Sequence, residues 1–143
     1  MGKDFKLKIF QNILSGEKHY ALVKNLPIAE VPTFVRMHKL DITKDIFEEK
    51  NIFWLEISKS FKIIEEKGSG AIVLINSDMA PNIKKIFNRR DSKNHKLELR
   101  EYGVGAQILL EIGLQKIILL SNSNKKIIAL EGFDLEIVAQ EKI

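Results

Sequence analysis

Few side chains here are equipped for chemistry, and they are scattered. They are three histidines (His19, His38 and His95), an acid two residues before an arginine (Glu98 and Arg100), and a basic run of Lys84, Lys85, Arg89, Arg90, Lys93 and Lys96. Imidazole can act as base or metal ligand because its charge changes near neutral pH. His19 and His38 sit in strand-like sequence, where a hydrogen-bonded or solvated histidine is the commoner case. His95 lies in polar sequence and reads as a solvated loop residue. Standing alone, Glu98 and Arg100 read as an exposed pair at a helix start, contributing about 0–1 kcal/mol. The basic run invites a nucleic-acid reading, but Phe87 is its only aromatic, so a solvated helix face or a surface for an acidic partner is favoured. With no cysteine in the chain, disulfides and thiolate metal sites are excluded.

Bulk properties set the frame for these residues. A chain of 143 residues is the size of one ordinary domain, and 45% hydrophobic with 29% charged residues matches a folded protein. The net charge of +4 and pI of about 9.2 are mild, and suit a phosphate-bearing ligand or an acidic partner. No apolar run approaches a membrane span, and the N-terminus lacks a secretory apolar region. A cytoplasmic location with no membrane partner is the default expectation.

The elements that must position these residues follow from periodicity. Phe5–Ile13 alternates as a strand, Ser15-Gly16-Glu17 turns, and Tyr20–Val23 returns as a hairpin. Val31–Met37 is a third strand, with Pro32 pushing it toward a sheet edge or a strand start. Trp54, Ile57, Phe61 and Ile64 form an apolar helical stripe, so Trp54 is expected in the core, and Gly68 caps the helix. Ala71–Ile75 is a continuous apolar run, read as a strand buried on both faces. Pro81 opens a basic helix over Ile83–Phe87. Leu97–Ala106 begins as a polar turn and leads into a helix striped by Tyr102, Ala106, Leu109 and Leu110. Lys116–Leu120 is a strand, Lys125–Leu130 a short helix closed by Gly132, and Leu135–Val138 a last strand. The alternation in the second half predicts an α/β fold: a mixed sheet with parallel pairs and helices on its faces. No repeat or linker appears, so residues 1–143 read as one domain.

Several segments, taken in order, resemble the GTP cyclohydrolase II family of riboflavin biosynthesis. Gly16–Lys24 (G-E-K-H-Y-A-L-V-K) is similar to the family's G-E-x-H-x-A-L-V-K hairpin, and Val35–His38 (V-R-M-H) to its V-R-V-H. Glu65–Gly70 resembles its E-E-G-x-G turn, and Arg100–Leu109 its R-x-Y-G-x-G-A-Q-I-L. The resemblance implies the family's fold, a homodimer and a fused or associated 3,4-dihydroxy-2-butanone 4-phosphate synthase domain. It implies that Arg36 and His38 border the substrate region, that Arg100 handles the α-phosphate and that Glu98 assists proton transfer. Ser121 and Lys126 fall in its T-N-N-P-x-K segment, where a hydroxyl and a cation contact phosphate oxygens.

This chain departs from the family in two places. The family holds zinc with three cysteines, and those positions are Asp41, Ile52 and Trp54 here. Isoleucine and tryptophan do not ligate zinc, and an Asp41 in exposed loop sequence has no soft neighbours to complete a site. The family's R-Q-E-G-R-G-I-G-L is replaced by Asn76–Lys84 (N-S-D-M-A-P-N-I-K), with Ala80 in the arginine position and Met79, Pro81 and Ile83 in the glycine positions. No zinc is therefore expected, and Mg²⁺ only if a nucleotide binds.

Three functions stand side by side. The first is a degenerate domain with a structural or regulatory role beside the synthase; a chain starting in its first strand looks like a piece of such a two-domain protein. The second is a working enzyme, either a cyclohydrolase or a metal-free nucleotide pyrophosphohydrolase using Arg100 and Lys126. The third is a module that binds GTP or another phosphate ligand without turnover. A nucleic-acid role ranks last.

Overall fold

In the computed structural model, residues 4–41, 45, 52–76, 94–123, 130 and 133–143 are described, and of residues 94–101 only the backbone. Six strands form one mixed sheet: β1 (Lys6–Gln11), β2 (Lys18–Lys24), β3 (Thr33–Leu40), β4 (Gly70–Asn76), β5 (Lys116–Leu120) and β6 (Glu136–Glu141). Their order is β1-β2-β4-β3-β5-β6. The hairpin β1–β2 and the pair β2–β4 are antiparallel, whereas β3–β4, β3–β5 and β5–β6 are parallel. Among the described residues, the helices α1 (Ile52–Lys67) and α2 (Asn94–Glu111) follow β3 and β4. The α/β expectation with parallel pairs in the second half is met.

β4 shows why the sheet needs a helix on each face. Its alternate residues Ala71, Val73 and Ile75 join one buried cluster with Ala106 and Leu109 of α2. Ile72 and Leu74 join the other with Ile57 and Ile64 of α1. A strand covered on both sides has no polar face, which accounts for its continuous apolar run. Pro32 lies just before β3, which is central in the sheet, so of the two positions open to it the strand start is realised.

The stripe that predicts α1 is correct in Ile57 and Ile64, but Trp54 is 55% exposed. The core expectation for Trp54 fails because the first turn of α1 turns Phe53 inward instead, onto the ring of His38. Ser60, which the apolar stripe omits, is buried as well, its hydroxyl donating to Glu56 O at 2.8 Å. Gly68 closes α1 at φ +80°, its amide donating to Ile64 O at 2.9 Å, as a C-cap should. α2 begins at Asn94, so Leu97–Arg100 is helix rather than turn, and the backbone of His95 is helical rather than looped. The expected helices at Ile83–Phe87 and Lys125–Leu130 lie outside the described residues, apart from Leu130, which is buried.

α1 meets β4 at Gly70, where the approach is too close for a side chain. A Cβ there would stand 2.7 and 2.8 Å from the γ-carbons of Ile64 and 2.8 Å from the backbone oxygen of Phe34. Phe34 O belongs to β3 and cannot swing aside. Gly70→Ala is expected to lower stability by about 2–3 kcal/mol, as overpacking does, and urea denaturation monitored by circular dichroism will show it.

Candidate functional site

Parallel strands end on a common side, and in open α/β sheets ligands bind beyond those carboxyl ends. Here that rim is formed where Leu40, Asn76, Leu120 and Glu141 end their strands. α1 and α2 each follow a strand and run back along the sheet, so both present their first turns to the same side. β2 runs opposite and starts there, bringing His19 beside the end of β4: its Nδ1 accepts the Asn76 amide at 3.1 Å. The topology thus gathers His19, His38, Asp41, Ser121 and the backbone of Glu98 and Arg100 on one rim. Lys126 and the segment 77–93, including Ala80, lie outside the described residues, so their expected roles gain no geometry.

Arg36 projects from β3 toward α1 and is 2% exposed. Its Nη1 donates to Leu120 O at 3.1 Å, and its Nη2 pairs with the Glu56 carboxylate of α1. Burial pushes the guanidinium below its ordinary pKa, and Glu56 pulls it back up. A guanidinium keeps its charge in proteins, so Glu56 serves as its counter-ion. In this position two guanidinium nitrogens of Arg36 are engaged by internal partners.

His38, two residues along, faces the same way. Its Nε2 lies 3.1 Å from Asp45 Oδ2, and the same oxygen accepts the Asp41 amide at 2.8 Å. The Asp45 amide donates to Asp41 O at 2.7 Å, closing a turn. The ring of Phe53 stacks against His38 with centroids 4.3 Å apart. Ser121 is fully buried; its hydroxyl donates to Ser123 O at 3.2 Å and accepts the Ser123 amide at 3.1 Å. Gln140 Nε2 donates to Ser121 O at 2.7 Å, fixing the turn after β5. Asn122 then joins Glu56 Oε1 at 3.2 Å and Ile143 O at 3.0 Å through its side-chain amide.

Sequence reading missed Glu56, Asp45, Phe53 and Asn122. Only Asp45 had a local signal, since it lies four residues after Asp41, the spacing of one helical turn. Glu56 and Arg36 are 20 residues apart, and nothing short-range links them.

Zinc can be tested against the three positions the resemblance names. Ile52 and Trp54 stand two residues apart on α1, which turns their side chains about 200° apart around the axis. One is hydrocarbon and the other an indole, and neither offers a lone pair to Zn²⁺. Among the described residues, no three His, Cys, Asp or Glu side chains come together as a metal site. The residues present do not fit zinc. No described helix is long and apolar enough to cross a membrane.

Comparison with known proteins gives this rim a context. The model of the family described as GTP cyclohydrolase II matches residues 1–142. The riboflavin biosynthesis protein RibBA of Cytophaga hutchinsonii is 34% identical over 129 residues, covering 80% of this chain and 32% of that protein. RibBA of Aquifex aeolicus is 32% identical over 155 residues, covering 97% and 38%. A Neisseria meningitidis serogroup B protein named 3,4-dihydroxy-2-butanone 4-phosphate synthase is 29% identical over 116 residues, covering 80% and 32%. The chain therefore spans about a third of the length of the curated relatives it matches. A match along all but one residue, over a sheet whose strand order places the shared segments on one rim, makes this chain a member of the GTP cyclohydrolase II family.

Proposed function

We propose that this chain is a GTP cyclohydrolase II-family domain that does not open the imidazole ring of GTP. In this reading it serves a structural or regulatory role beside a 3,4-dihydroxy-2-butanone 4-phosphate synthase domain. One observation carries the proposal: the positions of two zinc ligands are Ile52 and Trp54, on opposite sides of the first turn of α1. Zinc generates hydroxide at neutral pH by lowering the pKa of bound water. A chain without the ligands lacks that nucleophile. Relatives named for the synthase alone, and not only relatives named RibBA, match this chain, which supports the pairing with a synthase. Homodimerisation belongs to the same reading.

Incubation with GTP, Zn²⁺ and Mg²⁺, followed by chromatography, is expected to release no formate above a buffer control. Formate release that is lost in an Arg100→Ala variant would overturn the proposal. For the structural role, the domain is deleted from the protein that carries it with a synthase. Synthase thermal stability or oligomeric state is expected to change, and unchanged values would count against the role.

The placement of Glu98 and Arg100 on the rim-side half of α2 favours a second reading, nucleotide binding without ring opening. Titration calorimetry with GTP and GMP tests it. Heat that is lost in Arg100→Ala supports it, and no heat at millimolar nucleotide rejects it.

A further inference from the structure

We infer that the corner between β3 and α1, where the family resemblance sets all three zinc ligands, is closed in this chain by a metal-free clasp. Arg36–Glu56 and His38–Phe53 form it, with Asp45 as its brace. The inference rests on the reading that no zinc is held here, and it names what holds the corner instead.

The clasp follows from two periodicities meeting. On a strand, residues two apart share a face; on a helix, residues three apart do. Arg36 and His38 are two apart on β3, and Phe53 and Glu56 are three apart on α1. The two pairs therefore engage in register: guanidinium to carboxylate in one, ring on ring in the other. Each pair is sheltered. Arg36 is 2% exposed, and the side chains of His38 and Asp45 are 15% and 10% exposed. Asp45 Oδ2 takes His38 and the Asp41 amide together, so the backbone at the end of β3 is tied to the ring that Phe53 covers. Glu56 extends the tie to Asn122 beyond β5. In this way side chains tie the first turn of α1 to β3 and to the end of β5.

The chain supplies its own reporter. Trp54 is its only tryptophan, and its ring lies 5.0 Å from that of Phe53. Thermal unfolding and Trp54 emission are recorded for the chain as purified, with a zinc chelator, and with one equivalent of Zn²⁺. All three samples are expected to agree in midpoint and in emission. His38→Ala and Phe53→Ala are then made singly and together. They disturb partly exposed groups, so folded protein is expected, and each single variant should lose about 3–6 °C of midpoint, in line with the stability scale of a domain this size. Because the two rings are one contact, the double variant should lose clearly less than the sum of the singles. Hydrogen exchange in the first two turns of α1 should rise at least tenfold while its last turns stay protected. Glu56→Gln, which keeps the shape and removes the charge, should raise exchange in the same turns.

A midpoint lowered by chelator, or raised by stoichiometric Zn²⁺, would overturn the clasp together with the zinc-free reading. Additive losses in the double variant, or unchanged exchange in α1, would overturn the clasp alone. Formate release from GTP would overturn the proposed function while leaving the clasp intact.

Discussion

Replacing Glu56 with alanine is expected to destabilise the fold by about 3 kcal/mol, the lower end of the about 3–5 kcal/mol that follows from breaking a buried ion pair. The cost arises mainly from what remains. Arg36 stays at 2% exposure with a charge and no carboxylate, while its other partner, Leu120 O, satisfies only one nitrogen. The lower end applies because Glu56 is itself 21% exposed, so some water can reach the gap. Asn122 loses one contact but keeps Ile143 O. Removing both charges should be milder. Arg36→Met combined with Glu56→Leu is expected to come within about 1 kcal/mol of the parent, because the desolvation cost of both ions disappears with their attraction. Urea denaturation of the three proteins decides between these accounts. Equal losses in the single and double variants would mean that the packing of the side chains, and not their charges, sets the cost.

Gly105→Val is expected to cost about 3 kcal/mol or more, at or beyond the upper end of ordinary overpacking. α2 lies flush on the sheet at this residue. A Cβ would stand 2.1 Å from the terminal carbon of Met37 and 3.0 Å from Ile75 Cδ1. Met37 is fully buried, so its terminal carbon can move aside only by displacing its core neighbours. The larger valine side chain presses further on Met37 and Ile75, which both lie in the core. A compensation experiment identifies the cause. Met37→Ala alone should cost about 2–5 kcal/mol through its cavity. Added to Gly105→Ala it should cost less, because the new methyl fills part of that cavity. Strict additivity, measured by urea denaturation, would show that Met37 is not the obstacle.

How much of this was legible beforehand depends on the range of each interaction. Elements written as local periodicity were readable: the hairpin around Gly16, the double-sided strand at Ala71–Ile75, the Lys116–Leu120 strand and the cap at Gly68. Family membership was readable as well, because motifs such as Arg100–Leu109 are contiguous. Trp54 misled, since its spacing from Ile57 fits the stripe although the first turn of α1 turns Phe53, not Trp54, onto β3. The partners of Arg36 and His38 were hidden for a different reason. Arg36 finds Glu56 across 20 residues and Leu120 across 84, and pattern within a window carries no information at such distances. Ser121 was read as a hydroxyl for a ligand, yet its oxygen is engaged by Ser123, a turn that two serines in sequence only permit. The wiring of the rim was thus illegible in the sequence.

The reach of Arg36 has a consequence for how the protein is made. A ribosome delivers Arg36 long before Leu120, and at roughly 5–20 residues per second the nascent chain waits about 4–17 s for that carbonyl. During that interval Glu56, 20 residues on, is already available as counter-ion, while β3 still lacks its β5 neighbour. The edge of β3 that Leu120 completes therefore closes only once the fifth strand has left the exit tunnel.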